Sequence, residues 1–245
     1  GGAGQATKEA LIEPILIGPA ALSRAAAGQI GWDISGVRVE DIADPHDAPA
    51  RAVAMVHEAV AEAVMKGNIH SDEVLSHVTK SAGGLRAGRR LSHVFVLDVP
   101  GREGLMLITD AAINILPDLT TKADITQNAI DLAQAIGIPQ PRVGILSAVE
   151  TINSAIPSTL DAAVLSKMAE RGQIKGGLVD GPLAMDNAVD LEAARTKGIV
   201  SSVAGRADIL VAPNLEAGNM LAKQLIFLSH ADTGGLAVGA KVPVM

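Results

Sequence analysis

The 245-residue sequence contains no cysteine, which removes disulfides, thiolate metal ligands and a cysteine acyl-enzyme. Aromatic residues are almost as scarce, with two Phe, one Trp and no Tyr. Base-stacking platforms of the kind that grip single-stranded nucleic acid are therefore excluded on supply alone. Positive charge is also short: 20 Lys and Arg stand against 27 Asp and Glu, for a formal net charge of -7. That balance argues against a duplex-binding surface, so no nucleic-acid partner is expected. No apolar run approaches the roughly 20 residues that span a bilayer, and the opening GGAGQATKEALIEP lacks a charged segment followed by a long apolar one. The expectation is a cytoplasmic protein with no membrane partner, in which any anionic ligand is met by a local cluster of positive groups.

What the chain does have is aliphatic bulk. Apolar residues make up 48% and charged residues 19%, without runs of like charge, which describes a globular protein with a core of Ala, Val, Ile and Leu. Short β-branched runs alternate with longer Ala-rich patterns. The strand candidates are PILIG, VRVEDI, SHVFVLDV, LMLITDA, RVGILSAV, GGLVDG, ADILVAP and GLAVGA, and helices are expected at about 47–62, 71–80, 119–136, 159–171 and 216–229. This alternation is the signature of βαβ units around a mainly parallel sheet. In the helix at 119–136, Ile125, Ala129, Leu132 and Ile136 form the stripe that would cover such a sheet, and Gly137 followed by Pro139 is an ordinary stop. FVLDVPGREGLMLITDA reads instead as a hairpin, which makes the sheet mixed. A glycine- and arginine-rich stretch, SAGGLRAGRR, marks a junction, and a return crossing is expected near 229–235. The implied organisation is a discontinuous domain I of 1–88 plus 229–245 and a domain II of 89–228.

No G-x-G-x-x-G after a strand, Walker sequence, G-x-S-x-G elbow or His-Glu-x-x-His is present. His70 and His77 are spaced too far apart for a metal pair, and no metal site is expected. The candidates are strand ends. In KGGLVDGPLAMDNA a glycine-flanked apolar strand runs into Asp180, Gly181 and Pro182, with Asp186 behind them. Polar groups at the carboxyl end of a parallel strand face the ligand crevice, although Asp-Gly-Pro is also a favoured turn for local reasons alone. LITDAAIN offers Thr109, Asp110 and Asn114, and LSAVET offers Ser147, Glu150 and Thr151. Together these groups would line one sheet edge with hydroxyls and carboxylates, as a cleft for a polar ligand requires. ADILVAPNLEAGNMLAKQ repeats the theme, with Gly218 permitting close approach and Asn219 beside it. MKGNIHSDE combines Lys66, Gly67 and His70 with an expected N-cap at Ser71, and the N–H groups of such a helix start can take an anion beside the lysine charge. An ordinary capped helix fits the same residues. Arg86, Arg89 and Arg90, near Lys80, could fork onto a phosphate or form a solvated face.

Taken in order, MKGNIHSDE, LSHVFVLDVPG, LITDAAINILPD, NAIDLAQAIGI, ILSAVETINSAIPSTLDA, GGLVDGPLAMDNA and ADILVAPNLEAGNMLAKQL resemble the phosphate acetyl/butyryltransferases along nearly the whole chain. The K-G-x-x-H-x-D-E form and LSHVFV are similar to the butyryltransferase-like branch, as in proteins fused to an enoyl-CoA hydratase-like domain. The resemblance implies two α/β domains with an interdomain cleft, similar to isocitrate and isopropylmalate dehydrogenases, and a homodimer. It implies reversible transfer of a short acyl group between CoA and phosphate. CoA and acyl-CoA are then substrates, no cofactor is permanently bound, and the thiolate attacks the acyl phosphate directly. Lys66, Gly67, His70, Thr109, Asp110, Asn114, Ser147, Glu150, Asp180, Gly181, Pro182, Gly218 and Asn219 become the candidates for binding substrate. The family's Ser-Arg-x-x-Asp segment, which supplies the base, is expected after Met245, and a first strand before EPILIG. By this expectation the 245 residues alone bind CoA weakly and do not transfer acyl groups. An acyl-CoA sensor similar to the C-terminal domain of some malic enzymes is the alternative, and a decarboxylating dehydrogenase a more distant one.

Overall fold

Each of the eight β-branched runs overlaps a strand in the structure, a computed structural model that describes residues 2–245. The chain divides into two units, the first ending at Ala87 and resuming at Ala240, the second running from Gly88 to Gly239.

In the first unit α1 (Gly2–Lys8) precedes β1 (Ile15–Gly18), α2 (Ala20–Gln29) and β2 (Arg38–Asp41). The two strands pair in parallel from Ile15 opposite Arg38 to Gly18 opposite Asp41. A 3-10 turn at Pro45–Asp47, whose Asp44 side chain accepts the His46 N–H at 2.9 Å, leads into α3 (Ala48–His57). The helix expected over 47–62 stops at His57 because Ala59 turns left-handed, at φ 56. Val64 is then drawn into a parallel bridge with Val244. α4 (Ser71–Val78) completes the unit.

The second unit is a six-stranded sheet in the order β6-β5-β7-β4-β3-β8. Its strands are β3 (Ser92–Asp98), β4 (Met106–Thr109), β5 (Arg142–Leu146), β6 (Leu178–Leu183), β7 (Ile209–Val211) and β8 (Asp232–Val238). The helices are α5 (Leu119–Ala135), α6 (Pro157–Glu170), α7 (Met185–Val189), α8 (Leu191–Thr196) and α9 (Leu215–Leu228). Strands β4, β7, β5 and β6 run parallel, whereas β3 is antiparallel to both β4 and β8. The structure is thus a mixed α/β fold with a mostly parallel sheet. Side chains alternate between two buried faces. Val94, Leu107, Val143, Ile145, Ile209 and Val211 pack on Ile125, Ala129 and Ala133 of α5 and Ala162 and Leu165 of α6. Met106, Ile108, Leu146, Leu183 and Leu210 pack on Ala188 of α7, Ala194 of α8 and Ala222 and Leu225 of α9. Burial on both faces explains why the parallel strands read as continuous apolar runs. On α5 the stripe is Ile125, Ala129 and Ala133 rather than one reaching Ile136, which caps the helix and is 40% exposed.

The return crossing falls after β8, not near 229–235. β8 pairs with β3 over seven residues, from Ser92 opposite Val238 to Asp98 opposite Asp232. This occupies the free ladder edge of β3, which would otherwise be a long exposed edge strand. Residues 229–239 therefore belong with the second unit.

Candidate active site

At the carboxyl end of β4 the chain turns through Asp110 to Asn114, and nearly every polar group in that turn is used internally. Asp110 is 2% exposed. One carboxylate oxygen accepts the N–H groups of Ala112 (2.9 Å) and Ile113 (3.0 Å), and the other accepts the Asn114 N–H (3.1 Å) and the Asn114 side-chain amide. Asn114 also donates to the Leu91 carbonyl at 2.9 Å, and its Oδ1 accepts from Arg90 Nε at 3.4 Å. Thr109 is fully buried, its hydroxyl donating to the His93 carbonyl at 2.9 Å. Asp110 and Thr109 thus build the turn. Gly218 serves the same turn: a Cβ there would lie 2.6 Å from the Asp110 carbonyl oxygen, so only glycine lets the first turn of α9 come this close. Asn219 donates to the Ala111 carbonyl at 3.0 Å, and Asn214 caps α9 by accepting the Ala217 N–H at 2.9 Å. Beyond Asn114, Ile115 and Leu116 are 74% and 80% exposed.

The β5 end lies along the same sheet edge, with β7 between it and β4. Ser147 is buried, its hydroxyl 2.8 Å from that of Ser158, and its N–H donates to the Leu183 carbonyl at 2.8 Å. Glu150 accepts from Lys197 Nζ at 3.0 Å and from Asn187 Nδ2 at 3.4 Å. The Lys197 ammonium holds the Glu150 carboxyl below the usual carboxylate range. No local signal in the sequence marked Lys197 or Asn187 as partners of Glu150, because the contact spans 47 residues for Lys197 and 37 for Asn187.

Asp180 does not follow its strand. It lies within β6, level with Gly144 of β5, and the register shifts so that Leu183 meets Leu146. Gly181 and Pro182 occupy this bulge. A Cβ on Gly181 would stand 2.9 Å from the Ile145 carbonyl oxygen, so the tight Asp-Gly-Pro sequence serves strand packing. The Asp180 carboxylate accepts the Gly181 N–H at 2.8 Å, which returns it to the local-turn chemistry that Asp-Gly favours. Asp186 is in the first turn of α7.

His93, on β3 beside the Asp110 turn, stacks edge-on against Phe95 with ring centroids 4.5 Å apart. Burial pushes its imidazole below the ordinary histidine value, against the attraction of the Asp110 charge.

In the first unit the segment around Lys66 is folded onto itself. Lys66 Nζ donates to the Ile69 carbonyl at 2.9 Å and lies 3.5 Å from that of Gly67. His70, not Ser71, is the N-cap of α4, and it makes no side-chain capping hydrogen bond. Asp72 and Glu73 already occupy the first turn, so the positive end of the helix dipole faces the protein's own carboxylates. Glu73 reaches His46 across the unit, at 2.5 Å. This carboxylate raises the His46 pKa above its ordinary value. The pair's contribution is therefore complete below the ordinary histidine pKa and is lost as pH rises through the higher folded-state value. A proton NMR titration is expected to place His46 above a free histidine and to move it down towards the ordinary value in Glu73→Gln, with Asp44 and Asp47 still raising it. An unchanged His46 titration in that variant would contradict the pairing.

Of the arginine cluster, Arg86 donates to the Thr79 carbonyl at 2.6 Å and Arg89 pairs with Asp131 at 2.5 Å. Arg90 is exposed and sits on Asn114.

The family model described as Phosphate acetyl/butaryl transferase matches residues 45–245. A phosphate acetyltransferase of Rhizobium meliloti is 58% identical over 245 residues, which is 100% of this chain and 78% of the relative. A phosphate butyryltransferase of Clostridium beijerinckii is 43% identical over 241 residues, covering 98% of this chain and 80% of that one. Among solved structures, a branched-chain phosphotransacylase from Enterococcus faecalis V583 superposes with a TM-score of 0.78 at 34% identity, over 85% of this chain and 75% of the other. The chain belongs to the phosphate acetyl/butaryl transferase family.

Proposed function

We propose that the protein exchanges CoA for inorganic phosphate on a short acyl group, acetyl or butyryl. A phosphate oxygen attacks the thioester carbonyl carbon, the C–O bond forms as the C–S bond breaks, and CoA leaves as a thiolate that takes up a proton. In reverse, the thiolate attacks the acyl phosphate and phosphate departs. The observation that carries this function is the 58% identity to a phosphate acetyltransferase along all 245 residues. The sheet edge of the second unit supports it, because a hydrogen-bonded turn there holds a cation, Arg90, through Asn114, and the chain continues from Asn114 into the exposed Ile115 and Leu116. A charged group next to apolar surface suits a substrate that joins phosphate to an acyl chain. Acyl length is set by small differences, since one methylene in a pocket is worth only about 1–3 kcal/mol. A homodimer goes with this function, supported by Met220, Phe227 and Leu228 of α9, which are 66%, 71% and 74% exposed. The test is thiol release from acetyl-CoA and butyryl-CoA by the purified full-length protein, with and without phosphate. Release that requires phosphate and yields the acyl phosphate is expected, whereas release indifferent to phosphate, or none with either thioester, would overturn the assignment.

A further inference from the structure

We propose, on the basis of that acyl exchange, that Arg90 is the residue that grips the transferable phosphate, and that Asn114 and Asp110 act on it as positioning residues. An arginine useful for this purpose must be held in place while its fork stays open, and Arg90 meets both conditions. Its backbone is clamped to one face of α5: its N–H donates to Asp124 Oδ2 at 2.8 Å, and its carbonyl accepts from Asn128 Nδ2 at 2.9 Å. The same Asn128 amide reaches Ser92 Oγ at 3.0 Å, which ties the clamp to the start of β3. Its side chain is held at one point, where Nε donates to Asn114 Oδ1 at 3.4 Å.

Asn114 cannot turn away from this contact. It is 7% exposed, and its amide nitrogen is already committed to the Leu91 carbonyl and to Asp110. Asp110 in turn is locked by three backbone N–H groups. A hydrogen-bonded chain therefore runs from a buried carboxylate, through a buried amide, to an exposed guanidinium. Among the described residues, neither terminal nitrogen of Arg90 has a hydrogen-bond or ion-pair partner. Those two nitrogens are free to donate to two phosphate oxygens, the planar pairing that guanidinium favours and ammonium does not reproduce. Elsewhere in the second unit Arg89 pairs with Asp131, Arg142 with Asp208, and Arg102 donates to the Ala207 carbonyl; the nitrogens these leave without a partner, Arg89 Nη1 and Arg102 Nε, are buried. Asp118, the neighbouring carboxylate, caps α5 by accepting the Thr121 N–H at 2.8 Å and forms no ion pair with Arg90. Three side chains, Asp124, Asn128 and Asn114, thus fix one surface arginine at the sheet edge where parallel strands present their ligands.

The experiment compares the full-length protein with Arg90→Met, Arg90→Lys, Asn114→Ala and the Arg90→Met/Asn114→Ala double variant. Losing a charge-assisted, two-pronged contact is expected to raise the KM for phosphate by about ten- to a hundredfold in Arg90→Met. The KM for acyl-CoA and the thermal midpoint should stay close to those of the parent. Arg90→Lys keeps the charge without the fork and should fall between the two. Asn114→Ala should raise the phosphate KM in the parent but add nothing in the Arg90→Met background, a non-additivity that a merely structural role for Asn114 would not produce. Binding of inorganic phosphate is read separately by broadening of its 31P resonance. Broadening by the parent but not by Arg90→Met supports the assignment. Equal broadening by both, no broadening by either, or a phosphate KM unchanged in Arg90→Met overturns it. A parent that broadens the phosphate resonance yet releases no thiol from either acyl-CoA would retract the acyl-exchange function alone and leave Arg90 as a phosphate site.

Discussion

Asp110→Ala is expected to cost about 3–4 kcal/mol of folding stability, because hydrogen bonds to a charged acceptor are worth roughly 1.5–3 kcal/mol each and buried donors left without a partner are penalised further. The carboxylate accepts four such bonds, three from backbone N–H groups and one from Asn114. The full sum is not expected, since Ala112 is exposed and its N–H can be rehydrated. Asp110→Asn keeps one acceptor oxygen and should cost about half as much. Denaturant melts measure both. Activity should fall along with stability, because the released turn no longer holds Asn114 against Arg90. Were Asp110 a direct substrate ligand, Asp110→Ala would lose activity while melting like the parent. That result would overturn the structural role described here.

Gly218→Ala sets two effects of opposite sign against each other. Inside a helix, alanine is favoured over glycine by about 1 kcal/mol. Against that, the new Cβ would meet the Asp110 carbonyl oxygen at 2.6 Å, Ala212 Cβ at 3.0 Å and the Ala111 Cα at 3.2 Å. Two of these three atoms are backbone and cannot rotate aside. Overpacking of this kind costs about 1–3 kcal/mol, and more where nothing yields. The net expectation is a loss of about 2 kcal/mol in a thermal or urea melt, with α9 displaced from the turn and the Asn219 bond to Ala111 broken. Gly28, on α2, is the control: a Cβ there meets nothing within 4 Å, so Gly28→Ala should stabilise by a few tenths to about 1 kcal/mol. Equal effects at the two positions would mean that helix propensity alone governs both.

Both predictions concern residues that the sequence marks as polar or small at a strand end without saying what they are for. LITDAAIN presents Thr109, Asp110 and Asn114 as three ligand candidates. In the structure Thr109 and Asp110 are spent within the protein, and Asn114 faces outward only through Oδ1. The difference arises because a carboxylate just after a strand is as good a cap for the following turn as it is a ligand for a substrate. The choice depends on whether the next three N–H groups fold back to it. Asp180 is not at the end of its strand, for a related reason. An Asp-Gly-Pro sequence looks like a strand terminus, yet β6 runs through it, because a bulge opposite Gly144 and Leu146 absorbs the extra residue. Lys66 was legible as a cation in a glycine loop, but not that Ile69 and Gly67 would take its ammonium.

What the sequence by itself determined is the order of the eight strands and of α3, α4, α5, α6 and α9, whereas α1, α2, α7 and α8 came only with the structure. Two-sided burial leaves continuous apolar runs, and helices covering the sheet leave periodic ones, so local pattern is enough to place eight strands and the long helices. The colinear motifs determined the family as well, since each repeats family spacing whatever its role in packing. Only the tertiary structure decided which polar groups remain free. That is a matter of long-range partners, such as Arg90 with Asn114, Glu150 with Lys197, and β8 with β3, which lie 24, 47 and more than 100 residues apart. A hydrogen bond depends on distance and angle in space, and the side chain carries no record of it along the chain.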